Sequence, residues 1–268
     1  MPLHHVSPLA LKYGPWSFSK AETVVVCPSQ FHHKYVLKTV PGRSTSDASV
    51  GTTAHSVLEH MTGGASFVDA RKQALDTTPL TSPEIEALRA LEGAIAAFMR
   101  RFDAFCRNYG VVKVFREEAW GFDVDYKAAG FFAPGVFFRG KVDLALLTKD
   151  HDLFIIDHKT GAPKDLRKDV KKRQQLNSYG VLALPHLPEI GGVRAGIHFL
   201  QAQDIPFLDY VSADLIRRAH VPWLFQFLND AAENCVAPFP PKAKLRWPCE
   251  WCAYQSACPA FAEMTSGA

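Results

Sequence analysis

Apolar residues recur at spacings of three and four between residues 85 and 105, the pattern of an amphipathic helix. The apolar positions are Ile85, Leu88, Leu91, Ile95, Phe98, Phe102 and Phe105. Ser82 followed by Pro83 is a typical start, as N-cap and first helical residue, and Gly110 is a typical end. The pattern therefore predicts one long helix between Ser82 and Gly110.

After Gly110 the sequence takes on the character of strands. Residues 111–122 are rich in β-branched and aromatic side chains, and residues 137–147 and 153–159 have the same character. A short polar turn at residues 149–152 joins the last two segments. We therefore expect these two strands to form an antiparallel hairpin.

Three further segments complete the predicted architecture. They are a charged helix over residues 164–179, a buried strand over 194–201, and a helix over 213–234 with a kink at Pro222. We find no repeat or linker, so the pattern predicts a single α/β domain over residues 1–268. It would have a mixed central sheet flanked by helices, with a helical insertion over about residues 56–110.

Composition excludes several classes of protein. The 268 residues are enough for a large core, and 47% hydrophobic with 21% charged residues is ordinary for a globular protein. No apolar run approaches the roughly 18 to 20 residues that span a bilayer, and no secretory signal is evident, so we expect a cytoplasmic protein. The net charge of +3 is too small to indicate nucleic-acid binding by itself.

Carboxylates and lysines come together near the ends of the predicted hairpin strands. The first strand contains G-K-V-D at 140–143, and the second ends in I-I-D-H-K at 155–159. Asp157 and Lys159 are two residues apart, which in a strand places them on one face. An aspartate ending an apolar run needs a compensating charge, and Mg²⁺ or Mn²⁺ would supply it. On the D-x-K triplet alone, a strand-end ion pair worth less than about 1 kcal/mol is the simpler interpretation.

Four short motifs change that interpretation. They are G-T-T-A-H at 51–55, G-K-V-D at 140–143, I-D-H-K-T-G at 156–161 and Q-L-N-S-Y at 175–179. In this order they resemble the G-x-x-x-H, G-x-x-D, D-x-K and Q-x-x-x-Y motifs of the PD-(D/E)XK nuclease superfamily. Within it they resemble the RecB-like branch, which includes CRISPR-associated exonucleases with an iron-sulfur cluster. Each motif is weak alone, but four in order over nearly the whole chain are a strong signal.

The resemblance implies a restriction-endonuclease-like fold and a set of catalytic residues. Asp143 and Asp157 would bind the divalent metal, His55 would complete or adjoin the coordination, and Lys159 would assist the attacking water. Without the resemblance, a lone histidine such as His55 on an apolar helix is more often structural. His158 should point to the opposite face of its strand and is not expected to be catalytic.

A further glutamate is expected upstream of Asp143 in this branch. Glu117 and Glu118, late in the first strand, are the candidates. Adjacent strand residues face opposite ways, so only one can point into the site, and the spacing to Trp120 and to the next strand favours Glu117.

Four of the six cysteines suggest a metal site. Cys249, Cys252 and Cys258 lie close in sequence, but three thiolates cannot complete a four-coordinate set, and Cys27 is the best-placed fourth. The iron-sulfur members of the resembled family share this arrangement, which implies a 4Fe-4S cluster that joins the two ends of the chain. Zinc accepts four thiolates equally well and stays an alternative. The remaining two, Cys106 and Cys235, are expected to be small buried hydrophobes.

A basic segment follows the predicted metal residues. Residues 164–173 contain six basic and two acidic side chains. Such a run is usually a solvated helix face, but here it would flank the metal site, where a polyanion must lie. We therefore expect DNA contacts from a set of five side chains, namely Lys171, Lys172, Arg173, Gln175 and Tyr179. No base-reading motif is evident, so we expect recognition of the backbone.

These features together predict a metal-dependent DNA nuclease. It would act as an exonuclease on single-stranded DNA or DNA ends, hydrolysing phosphodiesters with a metal-activated water, in repair, recombination or phage or CRISPR DNA processing. The chain has no P-loop, so a helicase would be a separate partner, as would a recombination or CRISPR protein. Two alternatives stay open: a DNA-binding accessory module with a vestigial nuclease centre, and a zinc-stapled structural protein.

Overall fold

The computed structural model describes residues 5–39, 46–163, 165–202, 205–236 and 249–266. Contacts between Cα atoms divide the chain into two units. The terminal unit comprises Met1–Ser44, Phe122–Arg139 and Val221–Ala268, and the central unit comprises Thr45–Gly121 and Gly140–His220. A single domain over the whole chain stays a prediction.

The described residues contain six strands in one mixed sheet, in the order β2-β1-β3-β4-β5-β6. The strands are β1 (Val111–Phe122), β2 (Ala128–Gly130), β3 (Phe138–Thr148), β4 (Asp152–Lys159), β5 (Gly192–Phe199) and β6 (Val211–Ser212). β3 and β4 form the predicted antiparallel hairpin, with Leu144 opposite Ile156, and β5 runs parallel to β4. The predicted mixed α/β sheet is confirmed, and the segments predicted as strands match within two residues.

The helices are α1 (Pro8–Tyr13), α2 (Phe18–Val26), α3 (Pro28–Phe31), α4 (Ser46–Thr62), α5 (Phe67–Thr77), α6 (Ser82–Ala90), α7 (Glu92–Asn108), α8 (Val170–Ala183), α9 (Ala213–Leu215), α10 (Val221–Glu233) and α11 (Pro259–Ser266). Turns of π-helix cover His32–Val36 and Ile216–His220, and 3-10 turns cover Cys249–Trp251 and Gln255–Ala257. Within the described ranges, none of these helices combines the length and the apolar character needed to cross a membrane.

The long helix predicted from Ser82 is in fact two helices. α6 and α7 meet at Leu91, whose amide bonds to the Leu88 carbonyl at 3.0 Å in a tight 3-10 turn. The N-cap is Thr81 and not Ser82, because Thr81 and Glu84 form a capping box. The apolar spacing continues through Leu91, which is itself buried, and this is why periodicity did not reveal the break.

Two other predicted helices also differ from the structure. The charged helix begins at Val170, because Asp169 caps it by accepting a hydrogen bond from the Lys172 amide at 3.0 Å. Lys164, the first residue of the predicted helix, lies outside the described residues. The helix predicted from residue 213 is interrupted by the π turn that ends at His220, two residues before Pro222. Proline has no amide hydrogen and crowds the carbonyl four residues earlier, which explains the interruption.

The sheet of the central unit carries helices on both faces. On one face, α4, α5, α6 and α7 enclose a core that includes Leu144, Leu146, Phe154 and Ile156. α8 packs against β4 and β5 on the opposite face, since Asp157 alternates with Ile156 along the strand and contacts a residue of α8. The ends of β3 and β4 therefore receive side chains from both helical layers.

Candidate metal centre and cysteine cavity

Three side chains of the central unit could hold one metal ion. His55, Glu117 and Asp143 each offer a ligand atom, and these atoms lie within 4.8 Å of one another. They come from α4, β1 and β3. α4 passes close to the end of β4, since a Cβ atom at Gly51 would lie 3.4 Å from Thr160 Oγ1. The structure thus brings together three residues that are far apart in sequence.

Asp143 is held from two sides. Its Oδ2 accepts a hydrogen bond from the His158 amide at 2.7 Å and lies 3.4 Å from His55 Nδ1. Burial alone would raise the pKa of Asp143, but the hydrogen bond and charge of His55 lower it below its usual value. Burial lowers the pKa of His55, but the hydrogen bond with Asp143 and its negative charge outweigh burial, so the pKa of His55 is raised above its usual value.

Asp157 lies beside Asp143 at the end of the hairpin, one residue beyond the Leu144 and Ile156 pair. It is 2% exposed, and its Oδ1 accepts hydrogen bonds from Tyr179 Oη at 3.0 Å and Gln175 Nε2 at 3.4 Å. Its Oδ2 forms an ion pair with the Lys159 ammonium at 2.6 Å. Burial raises the pKa of Asp157, opposed by the charge of Lys159.

The glutamate of the cluster is Glu117 and not Glu118. Glu117 has a φ of 45°, in the left-handed region that non-glycine residues seldom adopt, so the simple alternation of β1 does not continue through it. Its Oε2 lies 2.7 Å from the Lys141 ammonium. Burial raises the pKa of Glu117, and the hydrogen bond from Lys141 opposes this rise.

The donor set of this cluster fits a hard divalent cation. Carboxylate oxygens are the ligands that Mg²⁺ and Mn²⁺ prefer, and Mn²⁺ also accepts an imidazole. Asp157 Oδ2 is buried and lies 2.6 Å from the Lys159 ammonium, so this oxygen already has a cationic partner. His55, Glu117 and Asp143 are the residues that could hold the metal. Asp157 adjoins them, and its predicted role as a metal ligand stays a prediction.

The residues predicted to contact DNA lie at the start of α8 and along it. Lys171, Lys172 and Arg173 occupy its first turn. Gln175 is half-buried, and Tyr179 is only 9% exposed. Burial raises the pKa of Tyr179 well above 10, so its hydroxyl stays protonated and donates to Asp157. The structure therefore shows Gln175 and Tyr179 supporting a carboxylate, and their contact with DNA stays a prediction.

Two features of the site had no role in the sequence analysis. Lys141 is two residues before Asp143, and this spacing could have indicated a shared strand face. The second feature is a buried pair of imidazoles, with His158 Nδ1 lying 3.0 Å from His198 Nδ1. Burial lowers the pKa of His158 far below its usual value and that of His198 to about 4. His198 comes from β5, and no local pattern connects it with His158.

The four predicted cluster cysteines meet in the terminal unit. Cys27, Cys249, Cys252 and Cys258 line one cavity, together with His33 and Tyr254 among others. Burial raises the pKa of Cys252, and the other three thiols raise it further. All four are outside disulfides.

The other two cysteines differ from each other. Cys235 is fully buried, as predicted. Cys106 is only partly buried, so the prediction was wrong for this residue, which packs at the edge of the α7 core.

Comparisons with known proteins agree with this fold. Residues 15–259 match the family model of the PD-(D/E)XK nuclease superfamily. A candidate exonuclease from Eubacterium rectale superposes with a TM-score of 0.52 at 12% identity, covering 91% of this chain and 90% of that one, which supports the fold. A second solved structure, SSO0001, covers 91% of this chain and 95% of its own at 13% identity, but its TM-score of 0.34 carries no argument. No curated protein matches. The matched residues span most of the chain and include the acidic cluster of His55, Glu117 and Asp143. The chain therefore belongs to the PD-(D/E)XK nuclease superfamily, whose members are typically metal-dependent nucleases.

Proposed function

We propose that the central unit is a metal-dependent deoxyribonuclease, acting as an exonuclease on single-stranded DNA or DNA ends. The observation that carries the proposal is the convergence of His55, Glu117 and Asp143 within 4.8 Å, with the Asp157 and Lys159 ion pair at its edge. Exonuclease action is supported by the description of the Eubacterium rectale structure.

The protein groups fix the geometry before any substrate arrives. The His158 amide holds Asp143 at 2.7 Å, and Tyr179 and Gln175 hold Asp157, so the carboxylates need little reorganisation. A bound Mg²⁺ or Mn²⁺ supplies Lewis-acid activation of water and of the phosphate. Lys159, 31% exposed and 2.6 Å from Asp157, can orient the attacking water and stabilise negative charge that develops on the phosphate.

The substrate contacts follow from charge and position. The first turn of α8 contains Lys171, Lys172 and Arg173, and the same helix places Gln175 beside Asp157. Phosphates of a DNA strand bound at the cluster could be neutralised by these cations, which implies backbone recognition and an affinity that falls with salt. The role would lie in DNA repair, recombination, or phage or CRISPR DNA processing, with unwinding left to a separate helicase.

The test is degradation of end-labelled single-stranded DNA in Mn²⁺ or Mg²⁺. We expect Asp143→Asn to lose more than about 100-fold in rate, because the loss of even an outer-shell group costs 10- to 100-fold. Asp125→Asn, at an exposed carboxylate of the terminal unit, should retain wild-type activity. Equal rates for Asp143→Asn and wild type would contradict the proposal. Binding of DNA by a wild-type protein that does not cleave it would favour the vestigial accessory module.

We propose that Cys27, Cys249, Cys252 and Cys258 hold a 4Fe-4S cluster, as in the iron-sulfur members of the RecB-like branch. The support is that four thiols from both ends of the chain surround a common cavity, so they can enclose a cluster core. Cys27 caps α3, and Cys258 immediately precedes α11, so the cluster would tie these two elements together.

Purification without oxygen tests this cluster. We expect a brown protein with a broad visible absorption and about four irons per chain. Cys258→Ser should lose both the colour and the iron. Cys106→Ser should keep both, since Cys106 lies outside the cavity. A colourless protein that contains one zinc would contradict the cluster and favour the structural alternative.

A further inference from the structure

We propose that Lys141 is an exchangeable counter-ion of the metal centre. Its ammonium pairs with Glu117 while no metal is bound, and it is released to a DNA phosphate when Glu117 binds the metal. This inference rests on the proposed nuclease function.

Lys141 and Lys159 each pair with a carboxylate of the site, but the two pairs differ in exposure. Lys141 Nζ lies 2.7 Å from Glu117 Oε2, and the Lys141 side chain is 56% exposed. Lys159 is 31% exposed and faces an Asp157 side chain that is 2% exposed. Lys141 can therefore turn into solvent once a metal neutralises Glu117, whose side chain is 14% exposed, whereas release of Lys159 would leave the more deeply buried Asp157 unpaired.

The charges of the site explain why an exchange is needed. Glu117, Asp143 and Asp157 carry three negative charges, and the ammoniums of Lys141 and Lys159 neutralise two of them. These five groups therefore have a net charge of −1 without a metal, and a divalent cation would change it to +1. The ammonium held least tightly is the one expected to leave.

Geometry adds a direct conflict at Glu117. A metal ion bound to a carboxylate oxygen sits about 2.1 Å from it. Lys141 already lies 2.7 Å from Oε2 of the same carboxylate, so the two cations would be close neighbours at one partly buried group. Like charges this close repel strongly where solvent screening is weak.

A DNA phosphate is the natural acceptor for the released ammonium. Lys141 precedes Asp143 by two residues on β3, so it projects from the same strand face beside the metal ligand. The hydrogen bond to Glu117 raises the pKa of Lys141, and the negative charges of Glu59 and Asp143 add to this rise. Asp143 is occupied by His55 and the His158 amide, so a phosphate arriving at the metal would supply the missing negative partner.

The experiment compares Lys141→Met with wild type in two separate titrations. Without DNA, we expect Mn²⁺ affinity, measured by electron paramagnetic resonance, to rise about 2- to 5-fold, the equivalent of a partly exposed ion pair. With Ca²⁺ in place of Mn²⁺, we expect DNA affinity to fall and the slope of its salt dependence to drop by about one charge. Lys141→Arg should behave like wild type in both titrations.

The matched control is Lys127→Met, which removes an exposed lysine 3.8 Å from Asp125 in the terminal unit and should change neither affinity. Mn²⁺ affinity that stays equal or falls in Lys141→Met would overturn the exchange, as would unchanged DNA affinity. If Lys141→Met gives either of these results while wild type binds Mn²⁺ and cleaves DNA, only the proposed exchange by Lys141 is contradicted. If wild type neither binds Mn²⁺ nor cleaves DNA, the proposed function fails with it.

Discussion

The acidic cluster of the central unit, formed by His55, Glu117 and Asp143, and the cysteine cavity of the terminal unit differ in how the charge of their metal-binding groups is balanced. Each gathers metal-binding groups from distant parts of the chain. The carboxylates are already paired with protein cations, namely Lys141 and Lys159. At the cavity, burial keeps the Cys252 thiol protonated by raising its pKa, and the neighbouring thiols add to this effect.

This contrast in how charge is balanced indicates which of the two sites contributes to folding. A carboxylate site with its own counter-ions can form before a metal binds, and the metal then serves chemistry. A thiol site gains its charge only when the metal or cluster displaces the protons, so binding and folding are coupled. We therefore expect loss of the 4Fe-4S cluster to destabilise the terminal unit, and we expect the central unit to stay folded when the divalent metal is removed.

The largest expected effect is that of Cys258→Ser. The proposed cluster closes a loop of more than 200 residues between Cys27 and Cys249, and closing such a loop stabilises the native state by about 5 kcal/mol in the loop-entropy description. We expect the variant to unfold at a much lower denaturant concentration than wild type and to be cut faster by protease near the C-terminus. Addition of EDTA to wild type should shift the unfolding midpoint far less. Equal shifts from Cys258→Ser and from EDTA would show that the two sites contribute equally to folding, contrary to this expectation.

The next effect in size is acid destabilisation of the central unit. His198 is fully buried and has a pKa of about 4, whereas an unfolded histidine titrates near 6.5. Between these values the unfolded state binds more protons, so stability is complete above pH 6.5 and falls as the pH drops toward 4. We expect a loss of about 3 kcal/mol from His198 alone.

Urea unfolding between pH 7 and pH 4 measures this loss, followed by tryptophan fluorescence. His198→Phe, which keeps an aromatic ring against Phe98, should reduce the acid slope. An unchanged slope in that variant would show that the buried imidazole pair does not cause the pH dependence.

The smallest predicted effect concerns the preorganisation of Asp157. Tyr179→Phe removes the 3.0 Å hydrogen bond from the hydroxyl to Asp157 Oδ1 and should lower Mn²⁺-dependent cleavage about 10-fold, as outer-shell groups typically do. Gln175 still donates to the same oxygen, which limits the loss. A variant that cleaves at the wild-type rate would show that Tyr179 is only a packing residue.

Local patterns predicted the strands well. Residues 111–122 form β1 with the predicted bounds, and the hairpin strands shift by only one residue, because β-branched and aromatic runs broken by polar turns specify strands strongly. The motifs also pointed to His55 and Asp143, which the structure brings together with Glu117. A short motif can reveal such a set when each member lies on a regular element.

Features that depend on tertiary contacts could not be predicted from local sequence patterns. The break at Leu91 preserves the apolar spacing, since its side chain stays in the same core. The start of α8 is decided by Asp169 as the cap, within a run of charges that offered several candidates. The partners of Lys141 and His158 come from β1 and β5, and no residue pattern along one strand specifies a partner on another.

Mn²⁺ binding, measured by electron paramagnetic resonance titrations, shows whether His55, Glu117 and Asp143 form the metal centre. Wild type, Glu117→Gln, Asp143→Asn and the exposed control Asp125→Asn would be compared at one pH. We expect both cluster variants to lose more than about 100-fold in Mn²⁺ affinity, since even outer-shell changes cost 10- to 100-fold, and the control to bind like wild type. Unchanged Mn²⁺ affinity in Asp143→Asn would contradict the claim.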